Sequence, residues 1–187
     1  MAPTNRLLQN RLLRFRAPEP EDLDLFYRWE NDTSLWEHGP TIAPVSRFVL
    51  REYLKCAKED IYATGQLRLM IETVGQGVAI GTVDLFDFDP YNNRAFIGML
   101  IDPAEQGKGY GQAAVELLVE YCFSHLHLHQ LCVHIPLSNK PCYRLYQKMG
   151  FSLCGILKEW IRRESYYEDV YFMQLLNERV HKAQSFV

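Results

Sequence analysis

From Gly107 to Gly111 the chain reads GKGYG, three glycines at alternate positions between the apolar run RAFIGMLI and the amphipathic run GQAAVELLVEYCF. Glycine lets successive backbone N–H groups turn toward one point, and a helix N-terminus adds partial positive charge there. The chemistry implied is anion binding, with a pyrophosphate the natural fit for such a nest. Spacing separates the candidate phosphates. A P-loop needs Gly-Lys followed by Ser or Thr for the magnesium ion, whereas Lys108 is followed by Gly109. A dinucleotide turn needs G-x-G-x-x-G after a first parallel strand, whereas the spacing here is G-x-G-x-G after the third of three apolar runs.

About thirty residues on, Asn139, Tyr146 and the Gly150-Phe151 pair stand in the form N-x-x-x-x-x-x-Y-x-x-x-G-F. With Gln106-x-x-Gly109-x-Gly111, this combination resembles the GNAT superfamily of acetyl-CoA-dependent N-acetyltransferases. Within it the chain is most similar to the branch of the spermidine N-acetyltransferases and the ribosomal-protein alanine acetyltransferases. The stretches LRFRAPEPEDLDLFYRWEND, GTVDLFDFDPYNNRAFIGMLIDPAEQGKG and NKPCYRLYQKMGFSLCGILKEWI carry that likeness. The resemblance implies that Gln106, Gly107, Lys108, Gly109, Tyr110, Gly111 and Gln112 bind the coenzyme A pyrophosphate, largely through backbone. It implies that Met99, Leu100 and Ile101 frame the pantetheine arm and the acetyl carbonyl. Asn139 matches a residue that hydrogen-bonds that arm. Tyr146 matches a tyrosine beside the sulfur, where a phenol can protonate the departing thiolate.

One position departs from the branch. Its members usually carry glutamate after the Arg-Ala of the strand where this chain has Phe96. Asp84, Asp87 and Glu37 are the acids left to hold a cationic amine. The expected reaction is acetyl transfer from acetyl-CoA to a primary amine by direct attack in a ternary complex, with a polyamine such as spermidine as acceptor. A ribosomal-protein N-terminus, or a non-catalytic acyl-CoA sensor on the same fold, are the other readings.

His125, His127 and His129 invite a metal reading, but helical steps would scatter them and no carboxylate or cysteine completes a set. No metal is expected.

The elements that must position these residues follow from periodicity. Arg11–Arg16 alternates as a strand. Pro20, Glu21 and Asp22 suit a first helical turn, with Leu23, Phe26 and Tyr27 at helical spacing behind them. Thr33–Pro44 reads as a loop. Ser46 caps a second helix, with Val49, Tyr53 and Cys56 on one face. Leu67–Thr73, Ala79–Phe86 and Arg94–Ile101 form an antiparallel meander with turns at Gly75-Gln76-Gly77 and at Asp87–Asn93. A largely buried helix runs from Gly109 to near Leu126, then a strand over Gln130–Ile135. A short helix follows, with Pro141 in its first turn and Gly150 at its C-terminal end. A terminal hairpin closes around the polar RRESY, within the expected tip Glu159–Asp169. The expectation is one α/β (α+β) domain spanning residues 1–187, with a central mixed, mostly antiparallel sheet flanked by helices.

Composition narrows the partners. The chain has 187 residues, 48% of them hydrophobic, enough for an ordinary globular core. A formal net charge of −3 gives no basic footprint for nucleic acid. No apolar run approaches the ~20 residues that span a bilayer, and MAPTNRLLQNRLLRFR lacks the apolar core of a signal peptide. Five cysteines without a C-x-x-C pair suit buried, reduced thiols in a cytoplasmic protein. A small amine, no nucleic acid and no membrane are the expected partners, with a homo-oligomer allowed.

Overall fold

A computed structural model describes residues 7–37, 39, 41–56 and 60–178, with the side chain of Cys56 outside the described part. Seven strands form one sheet in the order β1-β2-β3-β4-β5-β7-β6. They are β1 (Leu13–Arg16), β2 (Leu67–Thr73), β3 (Ala79–Asp89), β4 (Arg94–Ile101), β5 (Gln130–Pro136), β6 (Ser152–Arg162) and β7 (Tyr167–Leu176). All neighbours are antiparallel except β4 and β5. That one parallel pair needs a crossover, and α5 (Tyr110–Ser124) supplies it. The expected mixed, mostly antiparallel sheet flanked by helices is the observed one.

The sheet separates two cores. One face of the meander, with Ile97 and Ile101 from β4, packs on Ala114, Leu117 and Leu118 of α5 and on Tyr146 of α6 (Lys140–Lys148). The other face, represented by Met70, is covered by Phe26 and Trp29 of α1 (Leu23–Glu30) and by Leu50 and Leu54 of α3 (Arg47–Cys56). Burying each such side chain contributes roughly 1.5–3 kcal/mol. Trp29 also donates its indole N–H to Asp102 at 2.9 Å, which fixes α1 over the end of β4.

Several local expectations are corrected. The loop expected at Thr33–Pro44 contains a one-turn helix, α2 (Thr33–Trp36), because Asp32 accepts the Ser34 N–H. Asp60 nucleates another, α4 (Ile61–Thr64), in the same way. On α3 the fully buried residues are Leu50 and Leu54; Val49 is exposed, while Tyr53 sits at the margin with its ring edge-on to Phe26 at 6.0 Å. Strand β3 does not stop at Phe86. It continues to Asp89 through a bulge between Phe86 and Asp89 that holds Asp87 at φ 47°. Cys154 is exposed, unlike the buried Cys122 and Cys132, because it lies on the outward face of edge strand β6. The crossover helix ends at Ser124, with His125 as its C-cap.

Candidate active site

The strand residues expected to frame an acetyl carbonyl lie where β4 leaves β5. Pairing of these two strands covers only Arg94↔Gln130, Ala95↔Leu131 and Phe96↔Cys132. Beyond Phe96, Ile97–Ile101 keep their bonds to β3, while Val133–Pro136 keep theirs to β7. The two strands therefore diverge and leave backbone polar groups facing the gap. Which groups face it follows from the antiparallel alternation. Asp102 donates its N–H to Ile80 across β3 at 2.8 Å. In the regular register before it, Leu100 and Gly98 also bond toward β3. Met99 and Ile101 then turn their N–H and C=O groups toward the opening. Of the strand residues expected to frame an acetyl carbonyl, these two offer amides, and Leu100 instead packs into the core beneath α1 and α3.

The glycine nest lies at the same end of the sheet. Gln106 Nε2 donates to the Ile101 carbonyl at 3.0 Å, tying the loop to the end of β4. Gly107 and Gly109 take φ 77° and 84°, and Gly109 is the N-cap of α5 with no side chain bonded to the helix. The first helical bond runs from Ala113 to Gly109 at 3.3 Å. Among the described residues, the N–H groups from Gly107 to Gln112 have no protein acceptor. Added Cβ atoms at Gly107 and Gly109 would meet open space, whereas one at Gly111 would stand 3.4 Å from Met99 Cε. Bare amides over open space fit a bound phosphate. The side chains here are engaged elsewhere. Lys108 pairs with Glu105 at 2.9 Å, and Gln112 bridges Glu116 and Lys148 at 2.8 and 2.7 Å. Tyr110 is half-buried against the core.

Helix α6 borders the gap from beyond β5. Asn139 is its N-cap and accepts the Cys142 N–H at 3.1 Å, and Pro141 fills the first turn. Tyr146 is 2% exposed and meets Phe151 edge-on at 5.0 Å. Burial pushes its phenol well above the ordinary value, helped by Cys142, so the hydroxyl stays protonated at neutral pH. Gly150, at φ 88°, lets the chain turn so that Phe151 can reach Tyr146.

The three acids expected to hold an amine lie apart. Asp84 is on β3 opposite Gly98. It is ion-paired to Arg68, which also approaches Glu30 at 3.3 Å and lies over the Tyr53 ring at 5.6 Å. Burial, aided by Glu30, pushes the Asp84 carboxyl up against the pull of Arg68. Asp87 is exposed at the bulge. Glu37 follows α2, and its backbone carbonyl accepts from Arg163 at 2.7 Å, which ties that loop to the terminal hairpin. Only His125 adjoins α5, as its C-cap, while His127 and His129 lie beyond the helix, so helical steps do not set their spacing. His125 stacks on Tyr121 at 5.4 Å, and the His129 N–H bonds the Asn93 carbonyl at 2.6 Å.

Sequence reasoning missed His134. It lies on β5 beside the divergence, within 4.7 Å of the Phe96 ring and 5.4 Å of the Phe172 ring. A lone histidine within QLCVHI gives no signal of its own; only the strand register reveals its place.

Residues 12–152 match the family described as an acetyltransferase (GNAT) domain. The chain is 26% identical over 170 residues to the spermidine N(1)-acetyltransferase of Vibrio cholerae, covering 91% of this chain and 96% of that one. It is 39% identical over 144 residues to an N-acetyltransferase 9-like protein of Caenorhabditis briggsae, covering 71% of each. A crystal structure of the Vibrio cholerae spermidine N-acetyltransferase in complex with CoA and spermine superposes with a TM-score of 0.79 at 28% identity, over 90% of this chain and 98% of that one.

Proposed function

The chain belongs to the GNAT acetyltransferase family, whose members use acetyl-CoA, and from that premise we propose that it acetylates a primary amine of a small polycation of the spermidine class. The observation that carries the proposal is the divergence of β4 from β5 beside the bare amides of the Gly107–Gln112 nest. One end suits a pyrophosphate and the other gives access to a strand edge. The crystal neighbour with CoA and spermine supports both halves by similarity.

Gly107 to Gln112 would hold the pyrophosphate, and the edge of β4 with Asn139 would hold the pantetheine arm. Bound there, acetyl-CoA supplies an activated thioester carbonyl. The Met99 and Ile101 amides point where an oxyanion would form, and preorganised donors act most strongly at such a point. Tyr146, kept protonated by burial, donates to the thiolate. On the opposite face, Asp84 and Glu30 share the single cation Arg68, so the cluster keeps a net negative charge when both are ionised. That charge would draw an ammonium toward the opening.

The whole chain, 1–187, would act as one domain. Among the described residues no helix is long and apolar enough to cross a membrane. The free thiols of Cys122, Cys132, Cys142 and Cys154 support a reducing compartment such as the cytoplasm. Exposed Leu153, Ile156 and Trp160 on edge strand β6 support a homo-oligomer.

The test is a panel of amines with acetyl-CoA, read by thiol release. Spermidine and spermine should outcompete a monoamine of similar length, with the advantage shrinking as salt screens the carboxylates. Acetylation of a ribosomal-protein N-terminal peptide with polyamines inert would overturn the polyamine reading.

A further inference from the structure

Resting on the acetyl-transfer reading above, we infer that His134 is the group that removes the proton from the incoming ammonium. The acceptor must arrive as a neutral amine before it can attack, so a proton has to leave on the acceptor's side of the sheet.

Placement comes from the register. Cys132 is the last residue of β5 paired to β4, opposite Phe96. Side chains alternate along a strand, so His134 lies on the same face as Phe96. Had the pairing continued, His134 would stand opposite Gly98. Gly98 has no side chain, and a Cβ there would be 3.5 Å from the Phe86 ring and 3.8 Å from Asp84 Cβ. Gly98 thus puts no side chain between Asp84, on β3, and the imidazole, on β5, and the edge of the Phe86 ring borders that position. The position lies beside the divergence, where the Met99 and Ile101 amides face.

The ring is held and partly dried by its neighbours. Phe96 from β4, Phe172 from β7 and Trp160 from β6 stand with ring centres 4.7, 5.4 and 6.0 Å away. The charged group acting on it is Asp87, from the bulge in β3. Burial lowers the imidazole's proton affinity, and Asp87 works the other way. The net effect leaves the ring neutral at neutral pH and able to accept, with a carboxylate nearby to stabilise the imidazolium that forms. Asp84 and Glu30 are already committed to Arg68, and Phe96 has no titratable group.

The step balances. An ammonium N–H proton passes to an imidazole nitrogen, directly or through one water. The freed lone pair forms the C–N bond, the C–S bond breaks, and the thiolate takes the Tyr146 proton. The acetylated nitrogen then sheds its second surplus proton, which restores the Tyr146 phenol through water, and the imidazolium returns its own proton to solvent, so that one proton is released per amide and thiol formed.

Two measurements test this. The first is the His134 imidazole titration, followed by NMR in the parent protein with and without saturating spermine. A cation brought against the ring should lower its pKa, and an unchanged titration would overturn the placement. The second compares putrescine with 2,2-difluoroputrescine, assayed at a pH above the lowered pKa of the amine beside the CF2 group, so that this amine is largely neutral. His134→Gln should lower kcat/KM for putrescine by ~10²-fold and leave the fluorinated acceptor near the parent's value, with the acetyl-CoA melting shift intact. Equal losses for both acceptors, or none for either, would overturn the role of His134 alone. A parent protein that binds acetyl-CoA and acetylates no amine would instead overturn the reading beneath it.

Discussion

Tyr146 carries the sharpest residue-scale expectation. Its phenol is buried and held in the protonated form, which suits a donor and not a base. Tyr146→Phe keeps the ring against Phe151 and removes only the proton. The expected outcome is a fall in kcat of ~10²-fold with the acetyl-CoA Kd little changed. Steady-state kinetics with parallel binding titration checks it, and equal kcat values would reduce Tyr146 to packing. A second expectation concerns Glu72 and Asp22, which tie β1 to its surroundings through Arg14 and Arg16. Burial opposes the charge on Glu72, but hydrogen bonds from Arg16 and Arg14 carry its carboxyl below the ordinary 4.5. Asp22 likewise falls below 3.8, through Arg16 and the Glu19 N–H, despite burial. A carboxyl depressed in the folded state stabilises fully above its unfolded value and loses that contribution as pH falls through the folded one. The urea midpoint should therefore drop as pH falls below about 4.5, and Glu72→Gln should make the drop shallower. A variant with the parent's acid slope would contradict the assignment.

At the scale of elements, β4 does the positioning. One edge bonds β3, the other opens toward α5 and α6, and Gly98 leaves its outer face bare. Gly98→Val adds carbon at ordinary contact distance from Phe86 and Asp84, so the fold should survive. The acceptor KM should rise by an order of magnitude or more, while acetyl-CoA binding, on the other side of the sheet, should not change; binding calorimetry for both ligands would reveal the split. The elements legible in the sequence were those with strong periodicity or punctuation: the meander, the crossover helix, the capped α6 and the terminal hairpin. The nest was legible because alternate glycines before a helix have few other uses. The divergence of β4 from β5 was not, since apolar runs such as RAFIGMLI and QLCVHI do not encode where a parallel pairing stops. His134 went unseen for the same reason. The short helices α2 and α4 were hidden because a single Asp cap in a turn-rich stretch looks like a loop.

In the proposed reaction the two faces of one sheet take one substrate each. Helices α5 and α6 line the side where the nest and Tyr146 lie. On the other side α1 and α3 cover the Met70 region, and the surface around Phe96, His134 and Phe172 lies beyond them. A ternary complex needs this arrangement, because two substrates must reach one gap from opposite faces without displacing each other. The most direct measurement of that claim is the melting temperature of the parent protein and of Gly109→Val with and without acetyl-CoA. A ligand at a hundredfold excess over its Kd stabilises the folded state by about 2.7 kcal/mol. A β-branched residue at φ 84° both strains the backbone and crowds the amides that would meet phosphate. A clear upward shift is expected in the parent, none in Gly109→Val and an intact one in Tyr146→Phe. A parent protein whose melting temperature ignores acetyl-CoA would contradict the claim.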